Sequence, residues 1–192
     1  MTIKDKKGRL VEIYNRFERD VSEFKKAAVC QIGCADCCIN VGNVDITTLE
    51  GIIIHERINT LAKPLKAEIQ KRLAQNRAEK ENNKFAKCAF LKEDNTCLIY
   101  DIRPFSCRRL YSVEKCNGGP PIIHRQAVKL ANEVVRELQY LDDTGYSGHL
   151  SFILYLLDKP KFKKAYLSGK FDPRKIKDFG ISHNILINRF VK

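Results

Sequence analysis

The chain has 192 residues, 44% of them hydrophobic, and a formal net charge of +12. This length suits one domain with its own packed core. No apolar run approaches the roughly 18 residues that a membrane span needs, so the sequence excludes a transmembrane helix. The positive charge is typical of proteins that meet nucleic acid, anionic lipid or an acidic partner, and it can also offset negative charge within the protein.

The N-terminal residues are charged and polar, with no apolar segment behind them, so the pattern does not indicate a secretory signal. We therefore expect a cytoplasmic protein. Structural disulfides are rare in that reducing compartment. The eight cysteines of the chain thus favour metal binding, with disulfide cross-linking as the alternative.

Helical periodicity covers most of the chain. An apolar residue at every third or fourth position predicts one amphipathic helix over residues 4–28, docked on its own domain. Thr47 and Glu50 form a Thr-x-x-Glu capping box that opens a second helix. A thinner apolar stripe predicts a third helix over residues 61–81. Further helices are predicted in the last third of the chain, before a basic tail.

A small β-hairpin is predicted over residues 88–100. Cys88 and Cys97 each begin one arm, and the turn-forming cluster Glu93-Asp94-Asn95 lies between the arms. Pro104 then suits the first turn of a short helix. That helix carries another cysteine, so this stretch presents several thiols close together.

The cysteines fall into two groups. The first group has four thiols within nine residues and the second has four spread over 88–116, as follows: Cys30, Cys34, Cys37 and Cys38, then Cys88, Cys97, Cys107 and Cys116. Four thiolates complete the tetrahedral shell of a structural zinc site, and four also hold a [4Fe–4S] cluster. Eight thiols could therefore fill one site with a surplus, or two sites.

Two expectations concern how these thiols are arranged. The adjacent side chains of Cys37 and Cys38 tend to point in different directions, so they are expected to serve different sites, or one of them to pack in the core. In each group, three thiols lie close together in the chain, which is one fewer than the four ligands of a tetrahedral metal site. We therefore predict that both groups converge on one centre, with sulfur atoms of the two groups about 4 Å apart.

Three arginines adjoin the second group. Arg103 and Arg108 are our candidates for holding the cofactor, because a guanidinium offsets thiolate charge or binds an anion. The other interpretation is an ordinary salt bridge to Asp101 or Glu114. For Arg109 we expect that salt bridge.

The motif Cys30-x3-Cys34-x2-Cys37-Cys38 and the later sequence Arg103-Pro104-x-x-Cys107-Arg108 resemble a bacterial cysteine-cluster family with the signature CxxxCxxCC. The resemblance spans about residues 28–118, and all eight cysteines of that family have counterparts here. It implies chelation of zinc or iron. Some longer relatives are described as flagellin lysine methylases, but this chain lacks their extra length, so that activity is not carried over.

Together these observations predict a mainly α protein with a small β-hairpin and a cysteine-rich, metal-centred core wrapped by helices. We divide the chain into an N-terminal amphipathic helix (1–28), a cysteine-cluster domain (29–118), and C-terminal helices with a basic tail packed on the same domain (119–192). The predicted function is binding of Zn²⁺ or Fe, including a [4Fe–4S] cluster, as the metal partner. Whether the metal is structural, redox-active or catalytic stays open.

Two alternatives differ in class. One is a metal-dependent enzyme for group transfer, such as protein lysine methylation, or for redox chemistry, although no His/Glu dyad or cofactor loop is visible. The other is a zinc-containing protein that binds nucleic acid. The net charge suits this alternative, but no motif with interleaved aromatic residues supports it.

Overall fold

The computed structural model describes residues 1–39, 42–170 and 181–182, and this part of the chain is mainly helical, as predicted. The predicted basic tail beyond residue 170 lies outside it, apart from residues 181–182. The helices and strands are α1 (Ile3–Asp20), α2 (Ser22–Lys25), α3 (Asp36–Ile39), β1 (Asp45–Thr47), α4 (Thr48–Thr60), α5 (Lys63–Asn82), a 3-10 helix (Tyr100–Ile102), α6 (Phe105–Arg108), α7 (Arg125–Leu141), β2 (Ser147–His149), α8 (Leu150–Leu157) and α9 (Pro160–Leu167).

The N-terminal helical segment is divided in two, where the periodicity predicted one helix. Thr2 and Asp5 form a capping box at the start of α1. The helix ends at Val21, whose φ of −100° and ψ of 1° depart from helical values. The Val21 side chain is fully buried there, and its N–H still donates to the Phe17 carbonyl at 3.0 Å. The chain therefore turns from α1 into α2 at a valine whose side chain lies in the core.

A first hydrophobic core surrounds α8, whose side chains are nearly all buried. Helices α4, α5 and α9 pack against it. Close contact with α4 depends on Gly51, because a Cβ at this position would lie 2.7 Å from Ile153 Cγ2. The predicted Thr47–Glu50 capping box is present at the start of α4 and sets its direction.

A second core lies between α1 and α7, with Leu49 from α4 and Phe105 from α6. The Phe105 ring meets the Phe17 ring edge-on, with centroids 4.8 Å apart. The Cys107 side chain, two residues further along, packs against the first core. The short helix α6 therefore spans the boundary between the two cores.

The two-stranded sheet joins distant segments. β1 pairs antiparallel with β2, with Asp45 opposite His149 and Thr47 opposite Ser147. Each strand leads directly into a helix, and because the strands are antiparallel, α4 and α8 start at opposite ends of the strand pair. The predicted hairpin region contains a tight antiparallel turn with one bridge, between Leu91 and Cys97.

In the part of the chain that the structure describes, none of the helices has the length and apolar character needed to cross a membrane.

Candidate metal centre

The first cysteine segment is attached to the loop after α6. The Val29 N–H donates to the Ser112 carbonyl at 2.9 Å, and the Ser112 N–H donates to Cys30 Sγ at 3.3 Å. Gly33 then adopts a φ of +88°, which L-residues with a side chain rarely tolerate. This turn leads the chain through Cys34 into the single-turn helix α3.

Cys37 and Cys38 lie on α3 with their sulfur atoms 4.0 Å apart. The sequence predicted divergent directions for these adjacent side chains, whereas their sulfur atoms lie close enough to interact. The hydrogen bond with Cys38 lowers the pKa of the Cys37 thiol to about 7, and the same contact raises the pKa of Cys38. The pair therefore releases its first proton easily and retains the second.

The second cysteine segment lies directly beside α3. The Cys88 N–H donates to the Cys38 carbonyl at 2.8 Å. On the other side, Asn76 from α5 donates to the Lys87 carbonyl at 2.7 Å and fixes the approach of this strand-like segment. Burial raises the pKa of the Cys88 thiol to about 11. Two segments that are fifty residues apart in sequence are thus joined through their backbones.

Cys97 and Cys107 lie within electrostatic range of Cys88. Burial raises the pKa of both thiols, and the charge of a Cys88 thiolate would raise that of Cys107 further. The Cys107 N–H donates to the Pro104 carbonyl at 2.9 Å, so the proline-started turn of α6 orients this side chain. The charge of a Cys37 thiolate also acts on both groups, which relates the two segments electrostatically.

These contacts define two sets of thiols. Five thiols from the two segments affect one another's pKa through their charges, and we call them the inner thiol group: Cys37, Cys38, Cys88, Cys97 and Cys107. The remaining three, which we call the outer thiol group, are related in the same way through Cys30: Cys30, Cys34 and Cys116. All eight thiols are free.

The inner thiol group fits zinc or iron by its chemistry. Thiolate sulfur is the soft ligand that both metals accept, and five such groups exceed the four that a tetrahedral shell requires. Within residues 1–39, 42–170 and 181–182, no three His, Cys, Asp or Glu side chains are close enough to hold one ion together. Coordination therefore requires the thiols to lose protons and draw closer together.

Arg103 faces the inner thiol group. Its guanidinium lies over the Tyr100 ring, 4.1 Å from the centroid, and its charge opposes the effect of burial on the pKa of Cys97 and Cys107. Its Nε is buried without a hydrogen-bond partner among the described residues. Arg103 thus supplies positive charge where thiolates would form.

Arg108, the other arginine proposed from sequence, points elsewhere. Its guanidinium donates to the Arg103 and Asp101 carbonyls at 2.8 Å and 2.9 Å. It also lies over the Tyr14 ring, 4.6 Å from the centroid. These contacts give Arg108 a structural role, because they close the loop that carries Arg103.

Arg109 does not form the expected salt bridge. Asp101 pairs instead with Arg57 from α4, and in the described chain Arg109 has no ion pair. The Arg109 Nε is buried without a partner there. The cause is geometric, since Arg109 follows the last turn of α6 and lines a cavity with Phe105 and Ser106.

Glu50 positions α6, and the sequence indicated only part of this role. The capping box predicted the Thr47 contact, and the buried Glu50 Oε2 indeed accepts from the Thr47 N–H at 2.7 Å. Its Oε1 also accepts from the Phe105 N–H at 2.8 Å and from the Tyr14 hydroxyl at 2.5 Å. One carboxylate therefore connects α1, α4 and the helix that carries Cys107.

Comparison with known proteins agrees with this geometry. The fold is mainly helical, and its two cysteine-bearing segments are joined by a backbone hydrogen bond. A family model named CxxCxxCC and described as "Putative zinc- or iron-chelating domain" matches residues 29–133, more than half of the chain, and the chain belongs to this family. The match extends beyond the cysteines into α7. No curated protein and no solved structure matched the chain.

Proposed function

We propose that this protein chelates zinc or iron, and that the inner thiol group is its principal metal centre. The backbone contact between Cys88 and Cys38 supports the proposal most directly, because it joins the two segments that carry the two cysteine groups. Arg103 would offset part of the negative charge that four or five thiolates create. When bound, the metal would cross-link α3, the turn at residues 88–97, and α6.

The outer thiol group is a secondary candidate site. Its three thiols fall one short of a tetrahedral shell, and Cys37 is our candidate for the fourth, since its thiolate charge acts on Cys30. The inner group would retain four thiols even with Cys37 engaged elsewhere. We therefore propose one tightly bound metal at the inner group and weaker binding at the outer group.

Purification without oxygen, followed by analysis of metal and acid-labile sulfide, tests this proposal. A thiolate-bound zinc gives a colourless protein without sulfide, whereas an iron–sulfur cluster gives sulfide and visible absorption. We expect Cys107→Ser to lose the tightly bound metal. Cys116→Ser is the matched control and should keep it. Equal metal loss in both variants, or full retention in Cys107→Ser, would contradict the inner-group assignment.

A second candidate function, binding of nucleic acid, rests on a basic surface. The Arg77 guanidinium of α5 lies over the Tyr155 ring of α8, 3.9 Å from its centroid, and the Lys159 ammonium lies 4.3 Å from the same centroid. Basic side chains from two elements thus meet beside an aromatic ring. Binding through phosphates would weaken steeply as salt increases.

Fluorescence anisotropy with labelled single-stranded RNA and duplex DNA at low and moderate salt checks this second candidate. Arg77→Glu should weaken binding, whereas Lys26→Glu, an exposed lysine near the end of α2, should change it little. No binding at low salt would remove nucleic acid as a partner.

A further inference from the structure

A cavity of about 360 Å³ lies between the sheet and helices α6 and α7, apart from the thiols. A volume of this size falls within the range of small-molecule sites. Its lining combines apolar side chains with a few polar and charged ones, among them Asp45, Glu50 and Arg109.

Arg109 is the cationic residue of this lining, and it has no protein partner in the described part of the chain. Its Nε is buried there without a hydrogen bond. Burying this N–H without a hydrogen bond is costly, because the group has lost water and gained no acceptor in return. An acceptor supplied by a ligand would remove that cost.

The two acids of the lining do not serve as this acceptor. Glu50 is already engaged by Tyr14, Thr47 and the Phe105 N–H. The Asp45 carboxylate interacts electrostatically with Lys80 of α5, where it opposes the effect of burial on the pKa of that lysine. Neither acid forms an ion pair with Arg109 in the described residues.

The remaining lining suits an apolar ligand body with a few hydrogen bonds. Ile46, Phe105, Val135 and Leu138 provide apolar surface. Gln139 donates to the Ser147 hydroxyl at 3.0 Å, so these two polar side chains of the lining are held in place. We propose that this cavity binds a small organic acid whose carboxylate pairs with the Arg109 guanidinium and whose apolar part contacts Phe105 and Leu138.

Benzoate is a suitable probe, because it joins one carboxylate to a compact apolar ring, and benzamide is its neutral counterpart. Titration of the ¹⁵N-labelled, metal-loaded protein should shift the amide signals of Ser106, Arg109 and Ser147. Benzamide should bind at least tenfold more weakly, since it cannot pair its charge with the guanidinium.

Arg109→Gln should weaken benzoate binding at least tenfold and leave benzamide unaffected. Arg125→Gln, at an exposed arginine that starts α7, is the matched control and should bind as the parent does. If Arg109→Gln misfolds, Arg109→Lys keeps the charge and should give an intermediate loss. Equal affinity for benzoate and benzamide, or shifts confined to other surfaces, would overturn the proposal. Metal content measured on the same samples separates this result from failure of the metal centre.

Discussion

The backbone N–H of Cys88 donates to the carbonyl oxygen of Cys38 at 2.8 Å. This hydrogen bond joins two segments that the chain separates by α4 and α5. It brings the second cysteine group to the first without using any thiol. The metal centre we propose would therefore form on a scaffold that the protein backbone already holds together.

Metal removal should destabilise the fold. A bound metal that joins Cys38 to Cys107 closes a long loop, and its binding free energy adds to the folding free energy. We expect the apoprotein and Cys107→Ser to melt at a lower temperature than the metal-loaded protein, as followed by circular dichroism. Cys107→Ser is the more decisive of the two, because an iron–sulfur cluster resists chelators. An unchanged melting temperature after verified metal loss would show that the site is not structural.

Glu50→Gln should destabilise the protein by about 1–3 kcal/mol, because a neutral amide cannot accept from all the buried donors that the carboxylate now satisfies. Glu56→Gln is the control on the same helix. It removes only an exposed ion pair with Lys7, so we expect less than about 1 kcal/mol. Urea unfolding measures both. Equal effects would show that the Glu50 network contributes no more than a surface contact.

Gly51→Ala and Gly8→Ala should change stability in opposite directions. The added methyl group at position 51 would lie 2.7 Å from Ile153 Cγ2 and force α4 away from α8, at a cost of about 1–3 kcal/mol. At position 8, on α1, no atom lies within 4 Å of the added methyl group, so alanine should stabilise the helix by roughly 0.5–1 kcal/mol. Thermal unfolding of the two variants compares them. A neutral Gly51→Ala would mean that the helices separate without loss of packing.

Asp142 and His149 should make opposing contributions to the dependence of stability on pH. Burial raises the pKa of Asp142 from 3.8 to about 6, so its contribution to folding is greatest below pH 3.8 and is lost as the pH rises through 6. Burial lowers the pKa of His149 from 6.5 to about 4, so its contribution is present above pH 6.5 and is lost as the pH falls through 4. Each contribution is ~3 kcal/mol, and their opposite slopes with pH largely cancel between pH 4 and 6.

Substitutions at these two positions should expose the separate pH dependence of each group's contribution to stability. Relative to the parent protein, the stability of Asp142→Asn should rise with pH between 4 and 6, because the histidine contribution is then unopposed. The stability of His149→Gln should fall over the same interval. Urea unfolding at several pH values measures both slopes. Parallel curves for the parent and both variants would contradict the assigned shifts in pKa.

Local features of the fold were predictable from the sequence because they depend on neighbouring residues. The Thr47–Glu50 capping box, the helical periodicity and the tight turn before Cys97 all arise within a few positions of the chain. The cysteine spacing likewise indicated the CxxCxxCC family, whose model matches residues 29–133. The prediction that both thiol groups share one metal centre stays a prediction.

Tertiary packing alone decided which distant groups meet. The pairing of Asp45 with His149, the burial of Glu50 against the Phe105 N–H, and the pairing of Asp101 with Arg57 in place of Arg109 all join segments more than forty residues apart. No periodicity encodes such partners, because they depend on how two hydrophobic cores place α6 between them. The residue types and local turns were determined by the sequence itself. Packing determined which groups lie beside each thiol and each charged side chain.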